Sequence, residues 1–412
     1  MLVMGGIVGS GIFINPYVVA RQVHTPLLIL GAWAAGGVVA LLGAFVYAEL
    51  AARRPEAGGQ YAYLRDAYHP AVAFVYGWAL LLVTQSGGMA AVAVTFARYF
   101  LEITRAPVSE AWLAAGALGL LTLVNCLGVR AGANVQSALM VLKIAAIAAM
   151  VLAGAAVVHP AREAARATHD SLTGFGAAMT PVLFAYGGWQ TTTFASAEMK
   201  NSTRDLPRAL LAGVAGVVVL YVSVSWVCLR VLGPAGLAAT HTPASAVMRA
   251  AMGQAGARFI AAGITISTLG FLSQGMLTAP RAYFAMARDG LFFRSVAWVH
   301  PRTAAPVVAI ALQGAAAAII ALSGRYEQIL NYVTAVDFVL FGLTGISLLI
   351  FRARRPQSEG FRTPGHPFTT LAFSLACFLV VAGTIYQYPA NSAVGWAILA
   401  AGVPVYFLWR KH

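Results

Sequence analysis

Two glycine-rich clusters lie inside long apolar segments of this chain, where each is expected to interrupt a helix. The first, GGIVGSGIF, occupies residues 5–13, and the second, FAYGGW, occupies residues 184–189. Glycine costs about 1 kcal/mol relative to alanine in a helix interior, and the nearby Pro16 and Pro181 each lack an amide donor. A broken helix exposes amides that attract anions and carbonyls that attract cations. Both clusters are therefore candidate binding sites for a small charged solute.

Helix packing is the alternative interpretation of the first cluster, because Gly5 and Gly9 form a GxxxG pair. The two clusters lie five apolar segments apart, and this spacing favours the paired helix breaks of transporters built from inverted repeats. A dinucleotide site is excluded, because the glycine order is wrong and the next acidic residue is Glu49. The chain also lacks HExxH, GxSxG and clustered His and Cys residues, so we expect no cofactor, no metal and no enzyme activity.

Two ionisable residues, Lys143 and Asp337, lie deep inside other apolar segments. Lys143 is about ten residues from the start of its segment, or roughly 15 Å along a helix axis, and Asp337 lies at a similar depth. Charge at such a depth is costly and marks a functional site by default. The alternatives are a snorkelling side chain for Lys143 and a helix-packing residue that faces a cavity for Asp337.

The segments that carry these residues are predicted to cross a membrane. Hydrophobic residues make up 60% of the chain, charged residues make up 10%, and the mean hydropathy is +0.77. This composition is typical of an all-α polytopic membrane protein and excludes soluble, disordered and disulfide-rich secreted classes. At about 34 residues per span and loop, the 412 residues predict twelve spans. The predicted spans are 1–20, 27–50, 70–100, 111–130, 134–158, 174–198, 207–231, 257–285, 304–323, 328–351, 368–387 and 392–409.

The distribution of basic residues predicts the orientation. Of the 27 Lys and Arg residues, 17 fall in one set of loops, 9 fall in the opposite set, and Lys143 lies within a span. The richer side is expected to be cytoplasmic, which places both termini inside the cell and the protein in the inner (plasma) membrane. The net charge of +14 then follows from topology, and we expect no binding of nucleic acid.

Several motifs in this order resemble the amino acid–polyamine–organocation (APC) superfamily, and in particular its L-type amino acid transporter branch. Each motif alone is weak, whereas their order along nearly the whole chain is specific. The motifs are GSGIF at 9–13 with Pro16, YAEL at 47–50, GGQYAYL at 58–64, FAYGGW at 184–189, EMKN at 198–201, LPRA at 206–209, PR at 280–281, ARDG at 287–290, HPR at 300–302 and FRTPGHP at 361–367.

The resemblance implies a LeuT-like fold with inverted repeats of five helices at 1–158 and 174–351, followed by helices 11 and 12 at 368–409. Helices 1 and 6 would be discontinuous, and the activity would be secondary transport of amino acids by alternating access. Only eight residues precede Gly9, fewer than is usual in the family, so the first helix looks clipped at its N-terminus.

The resemblance also implies roles for individual residues. Amides at the first break would bind the substrate carboxylate, carbonyls at both breaks would bind its ammonium, and Phe184 would close over it. Lys143 would replace a sodium ion near the carbonyl of Gly6, and Asp337 would favour a substrate side chain that carries an amino group, or would take a proton. The implied substrate-binding residues are Ile7, Gly9, Ser10, Gly11, Phe184, Ala185, Gly187, Gln190 and Asp337, and the implied gating residues are Phe184, Trp189 and Glu198.

The few charges in this site favour small or medium neutral amino acids, moved by sodium-independent exchange or by proton-coupled uptake. The alternatives are a transporter-like sensor and a permease for cationic amino acids or polyamines. A sensor would usually carry a long soluble extension, whereas this chain ends at His412 directly after the last predicted span. No obligatory partner subunit is expected, because the loop after the third span contains no cysteine that could link one.

Overall fold

A computed structural model describes residues 2–54, 58–128, 133–157, 172–198, 201–303, 305–355 and 360–409. Within these ranges, the side chains of residues 2, 133–137, 195–198, 202 and 409 are not described. The described chain is helical and contains no β-strand.

The α-helices follow the order of the predicted spans, and their bounds differ from the prediction mainly at the ends. They are α1 (Leu2–Ile7), α2 (Gly11–Ala20), α3 (Pro26–Arg53), α4 (Gln60–Ala67), α5 (Pro70–Ala79), α6 (Gln85–Thr104), α7 (Glu110–Cys126), α8 (Ala133–Ala155), α9 (Leu172–Tyr186), α10 (Ser202–Ala239), α11 (Pro243–Thr278), α12 (Pro280–Arg288), α13 (Val307–Ser323), α14 (Tyr326–Arg354), α15 (Phe368–Gln387) and α16 (Pro389–Trp409). A π-helical turn, Leu80–Thr84, joins α5 to α6, and 3-10 helices occupy Trp189–Glu198 and Arg294–Ala297.

The prediction of a polytopic helical membrane protein is confirmed. In the described residues, eight helical segments are long and apolar enough to cross a membrane, and Gly11–Ala20, Glu110–Cys126 and Val307–Ser323 are shorter apolar helices. The count of twelve spans stays a prediction. The division into repeats at 1–158 and 174–351 also stays a prediction, and the junction between them lies outside the described residues.

Both predicted helix breaks are present. The first lies between α1 and α2, where residues 8–10 leave the helix, and the second lies between α9 and the 3-10 helix. At the second break Gly188 has a φ of +109°, a conformation that side chains with a Cβ rarely adopt. The two broken helices pack against each other through α2 and α9, and the Asn15 side chain donates to the carbonyl of Pro181 at 2.6 Å. The breaks are therefore held together.

Small residues allow the long helices around the breaks to approach closely, as is common between membrane helices. α3 packs against α10, and a Cβ added to Gly37 would lie 2.7 Å from the side chain of Val218. A Cβ at Gly43 would lie 2.7 Å from the ring of Phe373 in α15. Large exposed apolar side chains, such as Leu123 and Leu379, instead point outward from the bundle, as lipid-facing residues do.

A buried carboxylate joins three segments at one end of the bundle, which we call the Arg-rich end because Arg53, Arg65, Arg288, Arg352 and Arg354 lie there. The fully buried Glu49 of α3 accepts hydrogen bonds from Arg53 at 2.8 Å and from Arg352 of α14 at 2.9 and 2.6 Å. The amide of Thr363 donates to the same carboxylate at 2.7 Å. Glu49 thereby fixes the end of α3 to α14 and to the loop before α15.

Removing this carboxylate leaves two guanidinium groups without their shared partner, which in buried pairs costs about 3–5 kcal/mol. Glu49→Ala is therefore expected to lower the melting temperature of the detergent-solubilised protein clearly. The control is Glu110→Ala, which removes a more exposed partner of Arg98, and such pairs contribute about 0–1 kcal/mol. Equal melting temperatures for the two variants would contradict the role of Glu49.

Candidate functional site

A cavity of about 110 Å³ lies where the two helix breaks meet. Its wall comes from both breaks, from the start of α6, from the end of α11 and from the middle of α14. The residues predicted for the site that line it are Ile7, Gly9, Ser10, Gly11, Phe184, Ala185, Gly187, Gln190 and Asp337.

The backbones of the two breaks touch at glycine residues, which leaves no room for larger side chains at these positions. A Cβ added to Gly11 would lie 2.6 Å from the Cα atom of Ala185. A Cβ added to Gly188 would overlap the carbonyl oxygen of Gly6. Close contact of this kind brings polar backbone groups of both breaks to one wall of the cavity.

The amide end of the site is the start of α2. The amide of Val8 donates to Met4 at 2.8 Å, and that of Gly9 donates to Ile7 at 2.7 Å in a three-residue turn. The first amides of α2 have no acceptor within their own helix. Ser10 and Gly11 therefore offer donors, whereas the amide of Gly9, which was predicted to be free, already has an acceptor.

The carbonyl end of the site is formed by the last turns of α1 and α9. The carbonyl of Ile7 accepts hydrogen bonds from Gly9 at 2.7 Å and from the hydroxyl of Tyr221 at 3.1 Å, so both of its lone pairs are used. In α9, the amide of Gly187 donates to the carbonyls of Leu183 and Phe184 at 3.0 and 3.2 Å. The carbonyl of Ala185 belongs to the last turn of α9, whose acceptors a helix end leaves free.

The aromatic and amide side chains of the second break occupy different environments. Phe184 is half-buried in the cavity wall, with its ring centroid 6.5 Å from that of Tyr326. Gln190 lines the cavity, and its Oε1 accepts from the amide of Gly188 at 2.9 Å. Trp189 is fully buried away from the cavity wall and stacks on Phe341 at 5.2 Å.

The predicted gating roles of Phe184 and Trp189 are not decided by these positions and stay predictions. The backbone of Glu198 ends the 3-10 helix that follows the break, and its side chain lies outside the described residues.

Lys143 reaches the first break from α8. Its ammonium donates to the carbonyl of Val8 at 2.6 Å and lies 5.7 Å from the ring centroid of Phe271. The side chain is only 6% exposed. The prediction placed the ammonium near the carbonyl of Gly6, and the structure places it two residues further along the break. A positive charge on a carbonyl of the break is consistent with a role in place of a metal ion.

Asp337 projects from the middle of α14 into the cavity, beside Thr334 and Phe338. Among the described residues, its carboxylate has no hydrogen-bond donor and no cationic partner. An ionised carboxylate at this depth requires a counter-charge or a proton. The bound solute or the solution must therefore supply one of them.

Several polar residues of the cavity wall were missed by the sequence analysis. Gln85 and Thr84 lie where the π-helical turn meets α6, and Gln274 and Thr278 lie near the end of α11. The available signal was a polar amide inside each apolar segment, QSGG at 85–88 and SQG at 273–275. No local pattern distinguishes these glutamines from ones that only pack.

The end of the cavity opposite the Arg-rich end is closed by buried aromatic residues. The hydroxyl of Tyr326 donates to Asn15 at 2.7 Å, and that of Tyr17 donates to Glu327 at 2.6 Å. Both tyrosines are 1% exposed. At the other end, Thr191 and Thr278 line the cavity and are half-exposed. The accessible route into the cavity therefore leads toward the Arg-rich end.

Comparisons with known proteins agree with the resemblance found in the sequence. The sequence model of the family described as "Amino acid permease" matches residues 1–409. The chain is 27% identical to the large neutral amino acids transporter small subunit 2 of Rattus norvegicus, with coverage of 99% of this chain and 78% of the relative.

Two further relatives have similar identities. The serine/threonine exchanger SteT of Bacillus subtilis is 28% identical, with coverage of 100% of this chain and 95% of the relative. The Asc-type amino acid transporter 1 of Mus musculus is also 28% identical, with coverage of 100% and 80%. These relatives are named as transporters or exchangers, and none is named as an enzyme. The chain belongs to the amino acid permease family, within the APC superfamily that its motifs resemble.

Proposed function

We propose that this protein is a secondary transporter that moves small or medium neutral amino acids by alternating access. The observation that carries the proposal is the meeting of two helix breaks at one cavity, with free amides on one side and free carbonyls on the other. An amino acid zwitterion presents one carboxylate and one ammonium, which match these two sets of groups.

The substrate carboxylate binds the amides of Ser10 and Gly11 at the start of α2, where the helix dipole favours a negative charge. The ammonium binds at the end of α9, where Ala185 offers the carbonyl without a helical donor, with Phe184 and Gly187 beside it. The carbonyl of Ile7 can bind the ammonium only in a state in which the hydroxyl of Tyr221 no longer donates to it. The substrate side chain then extends toward Gln190 and Asp337.

Transport requires no sodium in this proposal, because the ammonium of Lys143 lies on the carbonyl of Val8 at the first break. A fixed charge there stabilises the unpaired carbonyl in the way that a bound cation would. Exchange and proton-coupled uptake are both compatible with such a site.

The orientation in the inner (plasma) membrane follows from the positive charge of the Arg-rich end, which we assign to the cytoplasm together with both termini. The structure is then an inward-facing state. The contacts of Tyr17 and Tyr326 close the extracellular side. The gating residues change position when the protein converts between its inward-facing and outward-facing states, and these residues are Phe184, Trp189 and Glu198. The two breaks occupy corresponding positions of inverted repeats at 1–158 and 174–351, with the last two of twelve spans at 368–409.

We propose further that no partner subunit is obligatory. The name of the Rattus relative contains the words "small subunit". The name of the Bacillus relative mentions no subunit, and the alignment with this chain covers 95% of that relative. No cysteine occurs between the third and fourth membrane helices that could link an extracellular partner.

A second candidate is a permease for cationic amino acids or polyamines, and the unpaired carboxylate of Asp337 favours it. A substrate with a second amine would supply the missing counter-charge. Neutral substrates are favoured because Asp337 is the only acidic residue in the described cavity wall, which otherwise consists of apolar, hydroxyl and amide side chains.

The function is tested by uptake of radiolabelled amino acids into proteoliposomes that contain the purified protein. We expect uptake of serine, threonine, alanine or a medium-sized neutral amino acid, stimulated by unlabelled substrate inside. Empty liposomes give the background uptake. Uptake of arginine, lysine and putrescine is measured in the same way for comparison. Preference for the cationic substrates would establish the second candidate, and absence of uptake for the whole panel would reject transport.

Gly11→Val tests the contact between the breaks. The valine side chain would collide with the backbone of Ala185, and overpacking of this kind costs about 1–3 kcal/mol. We expect uptake to fall by about tenfold or more, a loss equivalent to about 1.4 kcal/mol. Gly31→Val is the matched control, because a Cβ at Gly31 in α3 meets no atom within 4 Å. Equal uptake by the two variants would contradict the assignment of the first helix break to the substrate site.

Lys143 is tested by substitution and by removal of sodium. Replacement of sodium by choline is expected to leave wild-type uptake unchanged, and Lys143→Ala is expected to lose uptake without gaining a dependence on sodium. Met140→Leu, one turn away on α8 and also in the wall of the small cavity beside Lys143, is the control. A steep increase of wild-type uptake with sodium concentration would contradict the role assigned to Lys143.

A further inference from the structure

A group of buried polar side chains lies outside the wall of the cavity, on α3 and α4, which pack against α14, and on the nearby α5 and α12. It consists of Tyr47 of α3, Gln60 and Tyr63 of α4, Tyr76 of α5, and Tyr283 of α12, and we call it the tyrosine cluster. None of the five is more than 1% exposed. The cluster thus combines residues from four helices that converge between α14 and the Arg-rich end.

The polar atoms of the tyrosine cluster have no hydrogen-bond partner among the residues that the structure describes. These atoms are the four tyrosine hydroxyls and both the oxygen and the nitrogen of the Gln60 amide. A buried polar group without a partner costs about 1–3 kcal/mol, so such groups are almost always satisfied by protein or by ordered water. Six unsatisfied atoms in one region are groups that ordered water molecules would satisfy.

The tyrosine cluster is continuous with Asp337. The ring centroid of Tyr47 lies 6.1 Å from that of Phe341, one helical turn after Asp337 on α14, and 6.3 Å from that of Tyr63. Tyr76 and Tyr283 lie on α5 and α12, which contact each other. Residues that carry hydroxyl groups therefore extend from the neighbourhood of Asp337 to α4 and α12.

The other end of the cluster reaches the surface at the Arg-rich end. Gln60 is followed by Tyr61, whose hydroxyl donates to Asp289 at 2.7 Å just after α12. Asp289 also pairs with Arg65 at 2.5 Å and is partly exposed. Burial and the hydrogen bond to Asp289 raise the pKa of Tyr61, so this hydroxyl stays protonated and remains a donor.

Among the residues that the structure describes, none supplies a cation that would hold Asp337 ionised. From the helices packed against α14, the titratable side chains that interact with it are Tyr47, Tyr76 and Cys377 of α15, all of them neutral when protonated. Lys143, which lies on α8, donates instead to the carbonyl of Val8. Asp337 can therefore become neutral only by taking a proton.

We propose that Asp337 carries one proton with each substrate and releases it to the cytoplasm through water held in the tyrosine cluster. The proposal rests on the transport function proposed above and adds its coupling ion. The O–H bond of the Asp337 carboxyl breaks as the neighbouring water gains the proton, and each water passes a proton to the next until hydronium forms at the surface. No electron moves, and the carboxylate is protonated again from the opposite side through the cavity.

The charge balance gives a reason for this coupling. A neutral carboxyl and a zwitterion carry no net charge through the low-dielectric centre of the protein, whereas an ionised Asp337 without a partner is costly there. Protonation of Asp337 thus favours the conformational change that moves the substrate-loaded site from one side of the membrane to the other. Release of the proton through the tyrosine cluster returns Asp337 to its ionised form once the substrate has left.

The test is simultaneous measurement of substrate and proton movement in proteoliposomes loaded with a pH-sensitive dye. Addition of a transported neutral amino acid is expected to acidify the lumen in proportion to uptake of the radiolabel. Tyr76→Phe combined with Tyr283→Phe keeps both rings and removes two hydroxyls of the route. We expect this variant to retain substrate exchange when the pH is equal on both sides of the membrane. The rate of proton movement is expected to fall by about tenfold, which corresponds to an activation barrier higher by about 1.4 kcal/mol.

Tyr186→Phe is the control, because its hydroxyl donates to the carbonyl of Trp33 away from the cluster. Asp337→Asn is expected to abolish acidification and to flatten the dependence of uptake on pH. If the double variant does not fold, each single variant is measured instead. Proton movement unchanged by the tyrosine substitutions, or wild-type uptake without acidification, overturns the proton route and leaves transport standing. Absence of uptake in the wild type rejects the transport function itself.

Discussion

Backbone hydrogen bonding at membrane depth is the constraint on which the rest of this structure depends. In hydrocarbon an unpaired amide or carbonyl costs several kcal/mol, so a helix can be interrupted there only where protein or a solute supplies the missing partner. The breaks after Ile7 and after Tyr186 satisfy this constraint by mutual contact. Glycine at 6, 11 and 188 permits that contact, and the remaining free groups are left at one cavity.

The two intramembrane charges have opposite relations to these breaks. Lys143 has a protein partner, the carbonyl of Val8, and its charge therefore belongs to the scaffold of the first break. Asp337 has no partner among the described residues and lines the cavity, on a helix that packs against α3 and α4 of the tyrosine cluster. A paired charge stabilises one arrangement, whereas an unpaired one responds to whatever enters the site. This difference separates the structural role of Lys143 from the coupling role that we propose for Asp337.

The sequence predicts those features of the fold that arise locally. Glycine and proline locate both breaks, and apolar runs locate the membrane helices, because propensity and length decide these features without knowledge of the tertiary structure. Features that depend on which helices become neighbours are not readable in the same way. The pairing of Glu49 with Arg352, and the positions of Gln274 and Tyr283, require helices far apart in sequence to meet.

The central claim is that the two breaks together bind the charged groups of an amino acid. It is tested most directly by an experimental structure of the protein with a transported neutral amino acid bound. We predict that the carboxylate lies within hydrogen-bond distance of the amides of Ser10 and Gly11, and that the ammonium lies at the carbonyl of Ala185. A ligand bound away from both breaks, or one with its carboxylate on Lys143, would contradict the account.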